Sequence, residues 1–75
     1  MQIDDLVRMV NQIAEFFAAY PDAEAIDGVA EHLHKFWDPA MRAQMLRARE
    51  ECADRLHPLA RKSLERLAAE SAARS

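Results

Sequence analysis

Proline sets the limits on what this chain can become. Tyr20-Pro21-Asp22, Asp38-Pro39 and His57-Pro58 place three prolines along 75 residues. Each removes a backbone donor and pushes the residue before it out of the α region, so each closes or opens a helix rather than sitting inside one. The four stretches that remain all carry apolar residues at helical spacing. The chain therefore reads as all-α, a small four-helix bundle with three long helices and one C-terminal helix.

The first stretch, residues 4–20, repeats Ile3, Leu6, Val7, Val10, Ile13, Ala14 and Phe17 along one face. Asp4 or Asp5 is placed to accept bonds from the first free N–H groups. A second stripe of Met9, Phe16 and Tyr20, with Asn11 and Gln12 nearby, widens the apolar face beyond what one neighbouring helix covers. The second stretch, 23–37, starts behind Asp22 as N-cap and presents Ile26, Val29, Ala30, Leu33, Phe36 and Trp37. Gly28 interrupts it, at a cost of about 1 kcal/mol relative to Ala, and reads equally as room for close approach of another backbone or as a bland substitution. Asp38 as N-cap and Pro39 at the first helical position open the third stretch, 39–53, with Met41, Met45, Ala48 and Cys52 inward. The fourth, 58–69, carries Leu59, Ala60, Leu64, Leu67 and Ala68, and residues 70–75 form a tail expected to fray.

Such a chain makes a single helical domain, residues 1–75, and buries only about 60% of the surface its unfolded form exposes. It folds marginally alone or gains stability from a partner. A formal charge of -3 gives no pull toward nucleic acid or anionic lipid. The single cysteine, Cys52, has no internal partner, which fits a reducing compartment. The start, Met1-Gln2-Ile3-Asp4-Asp5, is acidic where a signal peptide is basic, and no long apolar run follows. These features point to the cytoplasm, with no membrane contact.

Catalysis needs titratable groups that converge, and none do. The adjacent carboxylates Asp4-Asp5 and Glu50-Glu51 point about 100° apart on a helix and cannot share a proton. His32 and His34 are two apart, whereas helical metal pairs need three or four. Asp27, Glu31, His34 and Asp38 share a face that reads as solvated surface. No Gly-rich phosphate loop or nucleophile elbow is present, so no catalytic, metal-ligating or cofactor-binding residue is assigned. Arg42, Arg47, Arg49, Arg61, Lys62 and Arg66 make the second half basic, but Glu50, Glu51, Asp54, Glu65 and Glu70 interleave with them as surface pairs. No aromatic or Gly-containing recognition turn accompanies them, so nucleic-acid binding is the weaker reading.

The informative cluster is Phe36-Trp37-Asp38-Pro39-Ala40-Met41-Arg42. Its residue types are those of an interface hot spot, and equally those of a local hairpin core. Within it Phe36 is read as the core member, and Trp37 with Arg42 as the contact. Met9, Phe16 and Phe17 add apolar surface that three thin helices do not hide.

Two strings resemble one family. Met9-Val10-Asn11-Gln12-Ile13-Ala14-Glu15-Phe16-Phe17 is similar to the "M-x-N-Q-I-x-x-F-F" block of the delta subunit of NAD-dependent formate dehydrogenase. His32-Leu33-His34-Lys35-Phe36-Trp37-Asp38-Pro39-Ala40-Met41-Arg42 resembles its second block, "H-x-x-x-F-W-x-P-R-M-R", with Ala40 where the family usually has Arg. Leu56-His57-Pro58-Leu59 resembles a third, weaker "L-x-P-L" block. The short Gly-rich break common before that block is replaced by residues 50–55, which read as continued helix.

The resemblance implies a non-catalytic accessory subunit of a cytoplasmic complex that binds the large (alpha) subunit and assists assembly, cofactor insertion or stability. It also implies a bis-pterin guanine dinucleotide molybdenum or tungsten cofactor, iron–sulfur clusters, FMN and NAD on the partner subunits, and none on this chain. By motif match, Met9, Asn11, Gln12, Phe16, Phe17, His32, Phe36, Trp37, Pro39, Met41 and Arg42 are the candidate interface residues. Two other readings stay open: a self-associating helical module, with a homodimer in isolation, and a small nucleic-acid-binding regulator.

Overall fold

The computed structural model describes residues 2–74. Four α-helices follow one another, α1 (Ile3–Phe17), α2 (Asp22–Phe36), α3 (Pro39–Ala48) and α4 (Pro58–Arg74), with a single 3-10 turn at Ala53–Arg55 between the last two. No strand occurs among the described residues. The all-α bundle expected from the periodicity is the fold observed.

The core is a stack of small and medium aliphatic side chains. Leu6, Val10 and Ala14 from α1 meet Val29 and Leu33 from α2, Met45 from α3 and Ala60 and Leu64 from α4, all essentially sealed from solvent. These positions recur at three and four residues, so each helix turns one stripe inward. The most extensive helix pairing is α2 on α4, and α1 contacts all three other helices. Ser63, buried among them, donates its hydroxyl back to the Leu59 carbonyl at 2.8 Å, which satisfies it without a partner helix.

The helix boundaries depart from the wheel at several points. α1 stops at Phe17 rather than Tyr20, because the chain tightens into i to i−3 bonds, Tyr20 donating to the Phe17 carbonyl at 3.0 Å, before Pro21 starts the return. Neither Asp4 nor Asp5 caps α1; Gln2 occupies that position without a side-chain bond. Asp4 instead pairs with Arg55, and Asp5 with Arg8. Asp22 is the first residue of α2 rather than its N-cap, the cap being Pro21, and the Asp22 carboxylate meets Lys62 of α4 at 3.2 Å. At α3 the cap is as read: Asp38 accepts from the Met41 amide at 2.9 Å, with Pro39 first in the helix.

The largest departure lies between α3 and α4. Residues 50–55, read as continued helix, form turns and the 3-10 segment instead, and α3 ends at Ala48. The cause is tertiary. Asn11 of α1 bonds the Arg55 carbonyl and the His57 amide, a tie that holds the backbone where it turns to bring Pro58 round to α4. The connection thus breaks without the glycine that the family commonly places there. At the far end α4 continues helical through Arg74, past the end at residue 69 expected from the thinning of apolar anchors. Ser75 of the expected tail lies outside the described residues.

The charged residues of the second half pair mostly between helices rather than along one. Arg49 reaches Glu65 at 2.8 Å, Lys62 reaches Asp22, and Arg66 holds Asp27 with Glu70 beyond it. Arg42 is no surface residue of this set, as described below.

Candidate protein-interaction site

The apolar residues left over after the core is filled gather on one side of the α1–α2 hairpin. α1 contributes Met9, Gln12, Ile13, Phe16 and Phe17; α2 contributes His32, Phe36 and, at its C-terminal cap, Trp37. Together they line an open groove of about 670 Å³. No Asp, Glu, Lys or Arg lines it.

The rings are held in a connected array. Phe16 and Phe17 meet edge to face with centroids 5.1 Å apart, Tyr20 adjoins Phe17 at 5.9 Å, and His32 lies against Phe36 at 4.8 Å. Edge-to-face and tilted contacts at such distances suit the aromatic quadrupole. Phe16 is nevertheless 70% exposed and Phe36 72% exposed. Two largely uncovered phenylalanines form an apolar patch of the kind from which interaction surfaces are built.

Phe17 owes its position to Gly28. A Cβ added at Gly28 would stand 2.4 Å from Cε1 and 2.6 Å from Cδ1 of the Phe17 ring. The missing side chain lets the ring lie directly on the α2 backbone. In the sequence this glycine read equally well as a bland substitution; in the structure it is a seat for one specific ring.

Phe36 and Trp37 exchange the places expected of them. Trp37, assigned to the contact side, is only 5% exposed and belongs to the core cluster; Phe36, assigned to the core, projects into the groove. The reason is helical register. Trp37 follows Val29 and Leu33 at four-residue steps, and its amide still donates to the Leu33 carbonyl at 3.2 Å, so it continues the buried stripe as α2 ends. Phe36 remains helical and continues the face of Gly28 and His32.

Arg42 also turns inward. Its guanidinium donates to the carbonyls of Leu33, at 3.2 Å, and His34, at 3.1 Å, and to that of Trp37. These carbonyls lie at the C-terminal end of α2, where a cation is favoured by the helix dipole, and that of Leu33 also accepts from the Trp37 amide. Arg42 therefore ties α3 to α2, with Pro39 and the half-buried Met41 forming the start of α3 beside it.

Asn11 has a similar internal task. Its amide donates to the Arg55 carbonyl at 2.9 Å and accepts from the His57 amide at 2.8 Å, spanning the 3-10 turn and the entry to α4. The His57 ring then accepts from the Leu59 amide at 3.0 Å and so caps α4. Of the eleven motif residues expected at an interface, seven line the groove, while Asn11, Pro39, Met41 and Arg42 stand outside it. Ile13, which the motif list omits, sits within the groove; its position on the α1 stripe made it look like pure core.

One polar atom stands apart. Nδ1 of His32 is out of contact with solvent and has no hydrogen-bond partner. An unmade bond at a buried nitrogen costs about 1–3 kcal/mol, and native structures keep few of them. Among the described residues no three His, Cys, Asp or Glu side chains converge to hold a metal ion. No helix of the described residues is long and apolar enough to cross a membrane.

Comparison with known proteins agrees with the motif strings. A family model described as NADH-dependent formate dehydrogenase delta subunit FdsD matches residues 5–64, which contain both strings and the whole groove. The comparisons with curated proteins and with solved structures gave no match.

Proposed function

The chain belongs to the family of NADH-dependent formate dehydrogenase delta subunits, and from that premise we propose that it is a non-catalytic accessory subunit whose α1–α2 groove docks on the large subunit of the complex. The observation behind this reading is that both family strings contribute side chains to one uncovered apolar groove. A marginal helical domain with surplus aromatic surface and no converging titratable groups works by binding protein. The bis-pterin molybdenum or tungsten cofactor, the iron–sulfur clusters, FMN and NAD belong to the partner subunits in this reading, in a cytoplasmic complex.

Docking stabilises whichever arrangement of the large subunit it selects, by mass action. The selected arrangement is the one that accepts cofactor, so the chain assists assembly and cofactor insertion. The test is deletion of this chain followed by purification of the large subunit. Unchanged amounts of large subunit with reduced metal and pterin content are expected. Full cofactor loading in the deletion would remove the maturation role and leave a structural one. The isolated chain should also be sedimented over a range of concentrations: a dimer whose dissociation follows loss of Phe36 would move the groove from a docking site to a self-association site.

A further inference from the structure

The groove's dimensions and chemistry restrict what can fill it. Its α1 wall runs from Met9 to Phe16, seven residues apart, or about 10 Å of helix. That is two turns. A stable face-to-face protein interface takes about 20–30 residues from each side, whereas eight residues line this groove. A second copy of the chain, or any broad globular surface, would leave most of its own contact area outside it. A cleft between two helices is filled most closely by the side-chain ridge of a third helix.

The wall chemistry narrows the occupant further. With no charged residue on the lining and only Gln12 and His32 offering polar groups, a charged side chain entering the groove would be desolvated without a counter-charge. The occupant's inserted face is therefore uncharged.

We infer that the groove receives one short amphipathic helix of the large subunit, about two to three turns long, with uncharged apolar anchors at i, i+3 or i+4, and i+7. This rests on the docking role proposed above. The Phe17 ring seated on Gly28 and the Phe36 ring tilted against His32 are the two lips between which the central anchor sits. Trp37 forms part of the floor and is fixed by the core behind it.

The experiment is site-directed photo-crosslinking in the assembled enzyme. A benzophenone amino acid is placed at Gln12 or at Phe36, the tagged chain is co-expressed with the other subunits, and crosslinked peptides are sequenced by mass spectrometry. Both positions should crosslink to one segment of the large subunit no longer than about a dozen residues, at sites spaced by three or four. Ile13→Glu should abolish both crosslinks while the isolated variant keeps its helical circular dichroism.

Crosslinks to segments far apart in sequence, or to a second copy of this chain, would overturn the single-helix occupant. So would a large subunit that co-purifies fully with no crosslink at either position, and that outcome leaves the accessory role standing. Failure of the large subunit to co-purify with the unsubstituted chain would overturn both.

Discussion

The Phe17 ring occupies the space that a side chain at Gly28 would need, with Cε1 2.4 Å from the position of an added Cβ. The contact joins the two helices of the hairpin beside the groove, and it makes a glycine inside a helix the seat of one of the groove's rings.

Gly28→Ala separates folding from docking. Alanine improves helix propensity by about 1 kcal/mol, while the added methyl displaces the half-exposed Phe17 ring instead of compressing the core. The thermal midpoint should stay within a few degrees of the parent chain. Retention of the large subunit should fall at least tenfold in the same preparation. A midpoint lowered by more than about 8 °C would mean that the ring is locked and that Gly28 serves packing alone.

Adjacent aromatic residues should behave in opposite ways. Trp37→Ala empties a core position and should cost about 3–5 kcal/mol, enough to unfold much of so small a domain. Phe36→Ser removes an exposed ring, should change stability by no more than about 0.5 kcal/mol, and should release the partner. Urea unfolding and co-purification of the two variants give both readouts. Equal loss of stability in the two would contradict the burial pattern.

Asn11 belongs to a family string yet works inside the monomer. Asn11→Ala removes the bonds to the Arg55 carbonyl and the His57 amide and should cost about 2 kcal/mol. Asn11→Asp keeps the acceptor for the His57 amide but sets a carboxylate oxygen against the Arg55 carbonyl, and should lose at least as much. Chemical denaturation resolves the two. If neither variant is destabilised but docking weakens, Asn11 contacts the partner directly.

His32→Leu should stabilise the chain. It removes the unpartnered Nδ1, whose burial costs about 1–3 kcal/mol, and a gain of about 1 kcal/mol would raise the thermal midpoint by about 4–8 °C in a domain of this size. A lower midpoint would show that the imidazole is hydrogen-bonded in solution. Weaker retention of the large subunit by the more stable variant would identify the histidine as kept for docking at the expense of folding.

The sequence by itself determined the secondary structure and the family. Apolar periodicity and three prolines define four helices, Asp38-Pro39 defines how α3 begins, and the strings around Phe16-Phe17 and Phe36-Trp37 carry the resemblance. These are local properties: a cap or a stripe depends on residues within a turn or two. What the tertiary structure decided lies where local preference is nearly balanced. Trp37 turns inward and Phe36 outward because the core takes the Val29–Leu33 stripe, which Trp37 continues at four-residue spacing, and leaves the face of Gly28, His32 and Phe36 uncovered. Residues 50–55 have helical composition, yet they break where Asn11, more than 40 positions away, binds the backbone of Arg55 and His57 as the chain turns into α4. Arg42 looks like a contact residue in sequence and becomes a helix cap only once α3 packs across the end of α2. The groove itself is a remainder, the part of the α1 face that α2, α3 and α4 do not cover, and which part that is depends on how the helices pack.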